Sequence, residues 1–136
     1  MQAGNEIDPL YRKLRAAANG RFTGCPLDWM ERNIALPHSA RATRFDREVA
    51  PWLNDIIQTF ASGEFRQIAI RAPVGGGKTT LLELLVPYVV AEDPGGMLLV
   101  GQSDDMAKDF AETRLLPILK GCEKTARLFP SDRHQK

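Results

Sequence analysis

The spacing of apolar residues along the chain predicts helices over most of its length. In several stretches, apolar residues recur every three or four positions and charged residues fall between them, which is typical of a helix with one buried face. Turn-forming residues mark the limits: Gly63 follows one predicted helix, and Ser103, with two acidic residues after it, begins another. The helices are predicted at residues 8–18, 28–34, 51–62 and 78–92, from 104 to about 116 or 120, and in a short segment after Gly121.

Two short apolar runs, at residues 66–71 and 97–101, predict β-strands. The second run is apolar without interruption, as in a parallel sheet that is covered on both faces. The order strand, helix, strand, helix predicts an α/β fold with a parallel sheet and a right-handed crossover. Two strands make a poor sheet, and the helix around residues 81–91 is apolar on nearly every side. We therefore expect an incomplete parallel sheet with flanking helices, the opening part of a larger domain.

Composition places the chain with ordinary soluble globular proteins. It has 136 residues, of which 43% are hydrophobic and 26% charged. The net charge of +1 makes no global case for nucleic-acid binding. Residues 1–10 lack the order of a signal peptide, and the apolar stretch at residues 81–91 is too short to span a membrane. Cys25 and Cys122 form no metal-binding motif, and the two histidines are isolated. We expect a soluble, intracellular protein.

A glycine-rich loop between the first predicted strand and the next helix carries the candidate chemistry. Residues 72–80 read A-P-V-G-G-G-K-T-T. The phosphate-binding pattern G-x-x-x-x-G-K-[ST] is matched at Gly77, Lys78 and Thr79, whereas Ala72 stands in place of the first glycine. A glycine-rich turn with an exposed lysine is the alternative interpretation. The strand, loop and helix around the motif favour a P-loop.

Each residue type of this loop suits the phosphates of a nucleoside triphosphate. Gly75, Gly76 and Gly77 have no Cβ, so the backbone can turn its N–H groups towards phosphate oxygens. The following helix points the positive end of its dipole at the same anion. Lys78 would contact the β- and γ-phosphates, and the Thr79 hydroxyl would ligate Mg²⁺. The sequence therefore predicts ATP and Mg²⁺ as ligands.

Hydrolysis by a P-loop protein also needs an acidic residue on another strand. No acidic residue after Lys78 ends an apolar run of four residues in the way that this function requires. Asp104 and Asp105 come nearest, just past the second predicted strand. Their position after Ser103 favours the alternative that they are acids of a helix N-terminus. The catalytic residue is left unassigned.

Three stretches, in order around the loop, resemble one known family. The first is W-M-E-R-N-I-A-L-P at residues 29–37; the second runs from Phe45 through P-W-L at residues 51–53 to the P-loop; the third spans residues 101–117 and ends in R-L-L-P. Together they resemble the large subunit of tailed-phage terminases of the lambda-like GpA type, over about residues 26–128.

This resemblance implies an ATP-driven motor that packages double-stranded viral DNA and, in full length, cuts it with a separate metal-dependent nuclease domain. It implies the small terminase subunit and the capsid portal as partners, no membrane, and the host cytoplasm as location. It also implies that residues 75–80, Thr80 included, hold the phosphates and Mg²⁺. An aromatic residue of the segment 45–52, with Trp52 as candidate, would lie near the adenine. The alternative places Trp52 on the core face of its helix.

The chain also departs from the family pattern. Many terminases have Arg or Gln just before the Gly-Lys pair, where this chain has Val74 and Gly75, with Arg71 close by.

We expect residues 1–44 to form a helical N-terminal segment and residues 45–136 the N-terminal part of a P-loop ATPase domain, with the catalytic acid and the nuclease beyond it. Two alternatives stay open: another P-loop NTPase of helicase-like type, and a non-catalytic nucleotide-binding remnant. Whether this chain alone is an enzyme is therefore also open.

Overall fold

The structure is a computed structural model that describes residues 24–39 and 43–129. The helix predicted at residues 8–18 lies outside the described residues. The described elements, in chain order, are α1 (Pro26–Asn33), a 3-10 turn (Pro51–Leu53), α2 (Asn54–Ser62), α3 (Lys78–Glu92), α4 (Asp104–Phe110), a π-helical turn (Ala111–Leu115), α5 (Leu116–Gly121) and α6 (Glu123–Ala126).

The ends of the helices follow the signals in the sequence. Pro26 stands in the first turn of α1, where its missing N–H costs nothing. Gly63 ends α2 in the left-handed conformation, with φ of 65°. Ser103 caps α4 because its side-chain oxygen accepts a hydrogen bond from the backbone N–H of Met106 at 3.3 Å. The predicted helices at residues 28–34, 51–62 and 78–92 are thus confirmed to within two or three residues.

Helix α3 lies at the centre of the described part of the chain and packs against α1, α5 and α6. It buries side chains on several sides, as its all-round apolar sequence predicted. Around it, Met30, Ile34 and Ile57 are fully buried, and Cys122 is a buried free thiol. The core is therefore built by helices packing on helices. No helix in the described ranges is long and apolar enough to cross a membrane.

Helices α4 and α5 form one run that is interrupted by the π-helical turn. Pro117 follows this turn and stands in the first turn of α5. Proline has no backbone N–H to donate to the carbonyl four residues earlier, so the regular hydrogen-bond ladder cannot continue through it. The wider turn accommodates the break and lets a new helix begin. The helical run therefore continues past Pro117 and ends at Gly121, close to the longer of the two predicted limits.

The predicted parallel sheet is wrong for the described residues. They contain no β-strand, and both segments predicted as strands, 66–71 and 97–101, are irregular. Most of their apolar side chains are exposed rather than covered: Ile70 is 42% exposed and Leu98 87%. A strand needs a neighbour for its backbone N–H and C=O groups, and an apolar run alone does not supply one. Ala35 and Arg44 form an isolated antiparallel bridge and not a ladder.

Candidate functional site

The glycine-rich loop leads directly into helix α3. Gly75 and Gly77 adopt the left-handed conformation, with φ of 75° and 81°, which residues with a Cβ rarely tolerate. Between them, the N–H of Gly76 donates to the carbonyl of Pro73 at 3.1 Å and closes a tight turn. No side chain caps the N-terminus of α3. The first N–H groups of the helix are therefore left to bind another acceptor.

Lys78, the first residue of α3, folds back over this loop. Its Nζ donates to the carbonyl oxygens of Ala72, at 3.1 Å, and Pro73, at 2.6 Å. The side chain is exposed. The Lys78 ammonium group thus lies beside the uncapped N-terminus of α3. Two carbonyl oxygens bind it there, and an anion can replace them as the partner of the ammonium group.

The 3-10 turn at Pro51–Leu53 is seated against the loop. The indole Nε1 of Trp52 donates to the carbonyl of Gly76 at 3.1 Å, and the ring is 51% exposed. Leu53 is buried beneath Gly77, where an added Cβ would lie 3.4 Å from Leu53 Cδ1. Trp52 therefore lies on the surface beside the loop and not in the core, which removes the alternative placement of this residue.

Arg47 ties the chain before this turn to α1. Its guanidinium donates to both carboxylate oxygens of Glu31, at 2.9 and 2.6 Å, and also to Asp28. Hydrogen bonding to Arg47 lowers the pKa of the Glu31 carboxyl, and the same bonds raise the pKa of Arg47. This cluster of opposite charges fixes the segment that carries Trp52 to the loop.

Two cavities flank the loop, and Trp52 and Leu53 line both of them. We name the first, of about 440 Å³, the lysine cavity because it contains Lys78. We name the second, of about 430 Å³, the threonine cavity because it contains Thr79 and Thr80. The lysine cavity is also lined by Ile56, Ile70, Arg71, Ala72, Pro73, Gly76 and Leu81. The threonine cavity is also lined by Leu36, His38, Ser39, Arg44, Phe45, Asp46, Val49, Ala50, Gly75, Gly77, Glu83 and Arg114.

A buried carboxylate lines the threonine cavity. Glu83, on α3, is only 5% exposed, and its Oε1 makes no hydrogen bond. Arg114, on the π-helical turn, is the ion-pair partner, with Nη1 at 3.7 Å from that oxygen. This distance is too long for a hydrogen bond, so the carboxylate is only partly compensated.

The structure brings the predicted site residues together. Gly75, Gly76, Gly77, Lys78, Thr79, Thr80 and Trp52 all line one or both cavities. Asp104 and Asp105 line neither; they are exposed in the first turn of α4, as the helix N-terminal interpretation expects. The described residues hold no group of three or more His, Cys, Asp or Glu side chains that could bind a metal ion by themselves.

Glu83 and Arg114 belong to this site although the sequence patterns did not indicate them. One signal was available for Glu83, since it follows Thr79 by four residues and must share its side of the helix. No local signal was available for Arg114, because its contact with Glu83 spans a large separation in the chain.

A glycine loop that leads into an uncapped helix N-terminus, with a lysine at the first helical position, is an arrangement at which proteins bind phosphate groups. The comparison with protein families agrees with a phosphate-binding protein. The chain belongs to the family of the phage terminase large subunit gpA, because the model of that family's ATPase domain matches residues 39–136, more than half of the chain. A search of curated proteins and a search of solved structures each found no match.

Proposed function

We propose that this chain binds ATP together with Mg²⁺ as part of the ATPase of a phage terminase. One observation carries the proposal: the uncapped N-terminus of α3 follows two left-handed glycines and has the Lys78 ammonium beside it. Positive charge and free backbone donors at one point suit the β- and γ-phosphates. Membership of the terminase family supports ATP as the nucleotide.

Each residue of the loop has a part in this proposal. The backbone N–H groups of Gly75 and Gly77 donate to phosphate oxygens, while the N–H of Gly76 keeps its bond to Pro73 and holds the turn. Lys78 leaves its carbonyl partners to pair with the phosphate charge. Trp52, beside the loop and half exposed, supplies an aromatic face for the adenine. The exposed indole and its bond to Gly76 support that role.

The threonine cavity suits Mg²⁺. The hydroxyl of Thr79 would ligate the ion and Thr80 would contact a phosphate, and both line this cavity. Hydroxyl oxygens are hard donors, which is the ligand chemistry that Mg²⁺ prefers. When bound, the ion would neutralise phosphate charge.

Beyond nucleotide binding, family membership supports a role in packaging double-stranded viral DNA in the host cytoplasm. The small terminase subunit and the portal are the protein partners that this role implies. The same match favours a terminase over another P-loop NTPase of helicase-like type. Hydrolysis is outside the proposal, because no described acidic residue is assigned as catalytic.

The variant Lys78→Ala tests the proposal. Hydrogen bonds to charged groups contribute roughly 1.5–3 kcal/mol, so the Kd for ATP with Mg²⁺ should rise about tenfold or more. The side chain is exposed, so the free energy of unfolding should change by no more than about 0.5 kcal/mol. Binding is measured by isothermal titration calorimetry, with phosphate release followed in the same samples.

Lys120→Ala is the matched control, because this exposed lysine lines neither cavity. It should bind ATP as the unchanged chain does. Equal affinity of all three proteins, or no binding by the unchanged chain, would overturn the proposal. Phosphate release by the unchanged chain would add hydrolysis to it.

A further inference from the structure

The strongest feature that the proposed function leaves unexplained is the burial of Glu83. Its carboxylate is almost wholly removed from water, and Oε1 has no hydrogen-bond donor. The removal of an ionised carboxylate from water is costly unless hydrogen bonds replace its hydration. Arg114 offsets the charge from 3.7 Å but leaves the oxygen unsatisfied. The geometry therefore leaves one acceptor position to be filled by another donor.

The position of Glu83 on α3 indicates what that donor is. Glu83 follows Thr79 by one helical turn, and both side chains line the threonine cavity. Side chains on a helix lean towards its N-terminus, so the carboxylate reaches back towards the turn of Thr79. Neighbours at this spacing have Cβ atoms about 5–6 Å apart. Thr79 is exposed whereas Glu83 is buried, so an ion at the Thr79 hydroxyl lies nearer the surface than the carboxylate, and a water molecule between them suits this arrangement.

We infer that Glu83 is a positioning residue for the magnesium ion, and this inference rests on the proposed function. Its carboxylate accepts hydrogen bonds from water molecules that Mg²⁺ retains while the Thr79 hydroxyl ligates the ion. Mg²⁺ dehydrates reluctantly and keeps several of its waters in protein sites. Carboxylates that hold such ligands in place contribute strongly to metal affinity. Without the ion, Arg114 is the partner that offsets the charge of Glu83.

The bound ion and Arg114 therefore act on the same carboxylate. Arg114 is 44% exposed at its side chain and lies on the π-helical turn, at a distance that leaves its own donors free for water. A purely structural ion pair would make Glu83 important for stability alone. A positioning role makes it important for the effect of Mg²⁺ on nucleotide binding, and the two roles are separable by experiment.

The test measures the Kd for ADP by titration calorimetry, once in excess Mg²⁺ and once in EDTA, for the unchanged chain and for Glu83→Gln. The ratio of the two Kd values reports how much the ion adds to binding. The amide keeps the size of the side chain and removes its charge. We expect the enhancement by Mg²⁺ to fall about tenfold or more in Glu83→Gln. Glu112→Gln, the same change at an exposed position outside both cavities, should keep the enhancement of the unchanged chain.

An equal enhancement in Glu83→Gln and the unchanged chain would overturn the inference and leave the proposed function standing. No ADP binding by the unchanged chain under either condition would overturn both. Should Glu83→Gln fail to fold, as judged by circular dichroism, Arg114→Gln replaces it. That variant leaves Glu83 without its partner, so Mg²⁺ should enhance ADP binding more than in the unchanged chain. An equal or smaller enhancement there would overturn the inference.

Discussion

At the scale of single residues, Arg47 shows how one side chain organises the approach to the candidate site. It bonds both oxygens of Glu31 and also contacts Asp28, while its own backbone N–H donates to Glu31 at 3.0 Å. A fork of N–H donors matched to a carboxylate is the strong form of this interaction. Arg47 therefore connects α1 to the segment that leads to Trp52, beside the glycine-rich loop.

The variant Arg47→Gln should lower the melting temperature in a pH-dependent way. Because Arg47 holds the pKa of Glu31 below its ordinary value, the bond stabilises the fold above the unfolded-state pKa, about 4.3. This stabilisation is lost as the pH falls through the lower pKa of the folded state. The difference in melting temperature between the two proteins should be constant from about pH 5 to 7 and shrink below about pH 4.

Arg127→Gln is the control for this series. Arg127 pairs with Glu123 on the surface, and both side chains are largely exposed. Such pairs contribute little, so the melting temperature should barely change at any pH. A difference for Arg47→Gln that is as large at pH 3 as at pH 7 would contradict the assigned role of Glu31.

The residues of the candidate loop could be predicted because they are consecutive in the chain. A phosphate-binding loop depends on backbone conformation and helix polarity. Both are determined by neighbouring residues of the chain, here Gly75, Gly77 and Lys78. Glu83 and Arg114 could not be assigned in this way. Their roles depend on burial and on a contact between α3 and the π-helical turn.

At the scale of elements, Trp29 docks α1 onto α3. Its ring meets Tyr88 edge to face, with centroids 5.3 Å apart and planes at 82°. Its Nε1 donates to Glu92 at 2.5 Å, and Lys124 of α6 reaches the same carboxylate at 2.5 Å. Three helices therefore meet at one buried aromatic residue.

Truncation of the two tryptophans should affect different properties: stability for Trp29 and ATP binding for Trp52. Trp29→Ala should cost about 3–5 kcal/mol of the free energy of unfolding, because it empties a buried site. Trp52→Ala should cost far less, since half of its ring is exposed, but it should weaken ATP binding, because it removes the aromatic face proposed for the adenine. Urea denaturation and calorimetric titration measure the two quantities. Equal loss of stability in both variants would contradict these placements.

Helices could be predicted well, and strands could not, for one physical reason. A helix satisfies its hydrogen bonds within the segment, so caps such as Ser103 and Gly63 and the apolar period determine where it lies. A strand satisfies its hydrogen bonds only with another segment. The runs at 66–71 and 97–101 have strand-like composition, but no described neighbour pairs with them.

At the scale of the whole molecule, the described residues form a helical core with apolar residues left outside it. The core surrounds α3, where Leu84 is fully buried. Leu98 and Val100, by contrast, are more than four-fifths exposed. An apolar residue in an irregular, exposed segment adds little to stability, because folding removes little of its surface from water.

A matched pair of leucine variants tests whether buried core residues stabilise the fold more than the exposed apolar residues do. Leu84→Ala should cost about 2–5 kcal/mol of the free energy of unfolding, because it leaves a cavity in the core. Leu98→Ala should change that free energy by no more than about 0.5 kcal/mol. Chemical denaturation followed by circular dichroism gives both values. A comparable loss for Leu98→Ala would show that residues 97–101 are packed and not exposed.

The sequence by itself determined the features that depend on neighbours along the chain. These are the helix at residues 78–92 with its all-round apolar surface and the glycine loop that precedes it. The resemblance to the terminase large subunit, which the family match confirms, also belongs here. Tertiary structure alone decided the features that depend on distant segments. It left the two apolar runs unpaired, placed Trp52 at the loop and not in the core, and buried Glu83 opposite Arg114. Pairing, burial and ion-pair distance are properties of two segments at once, so no single stretch of sequence encodes them.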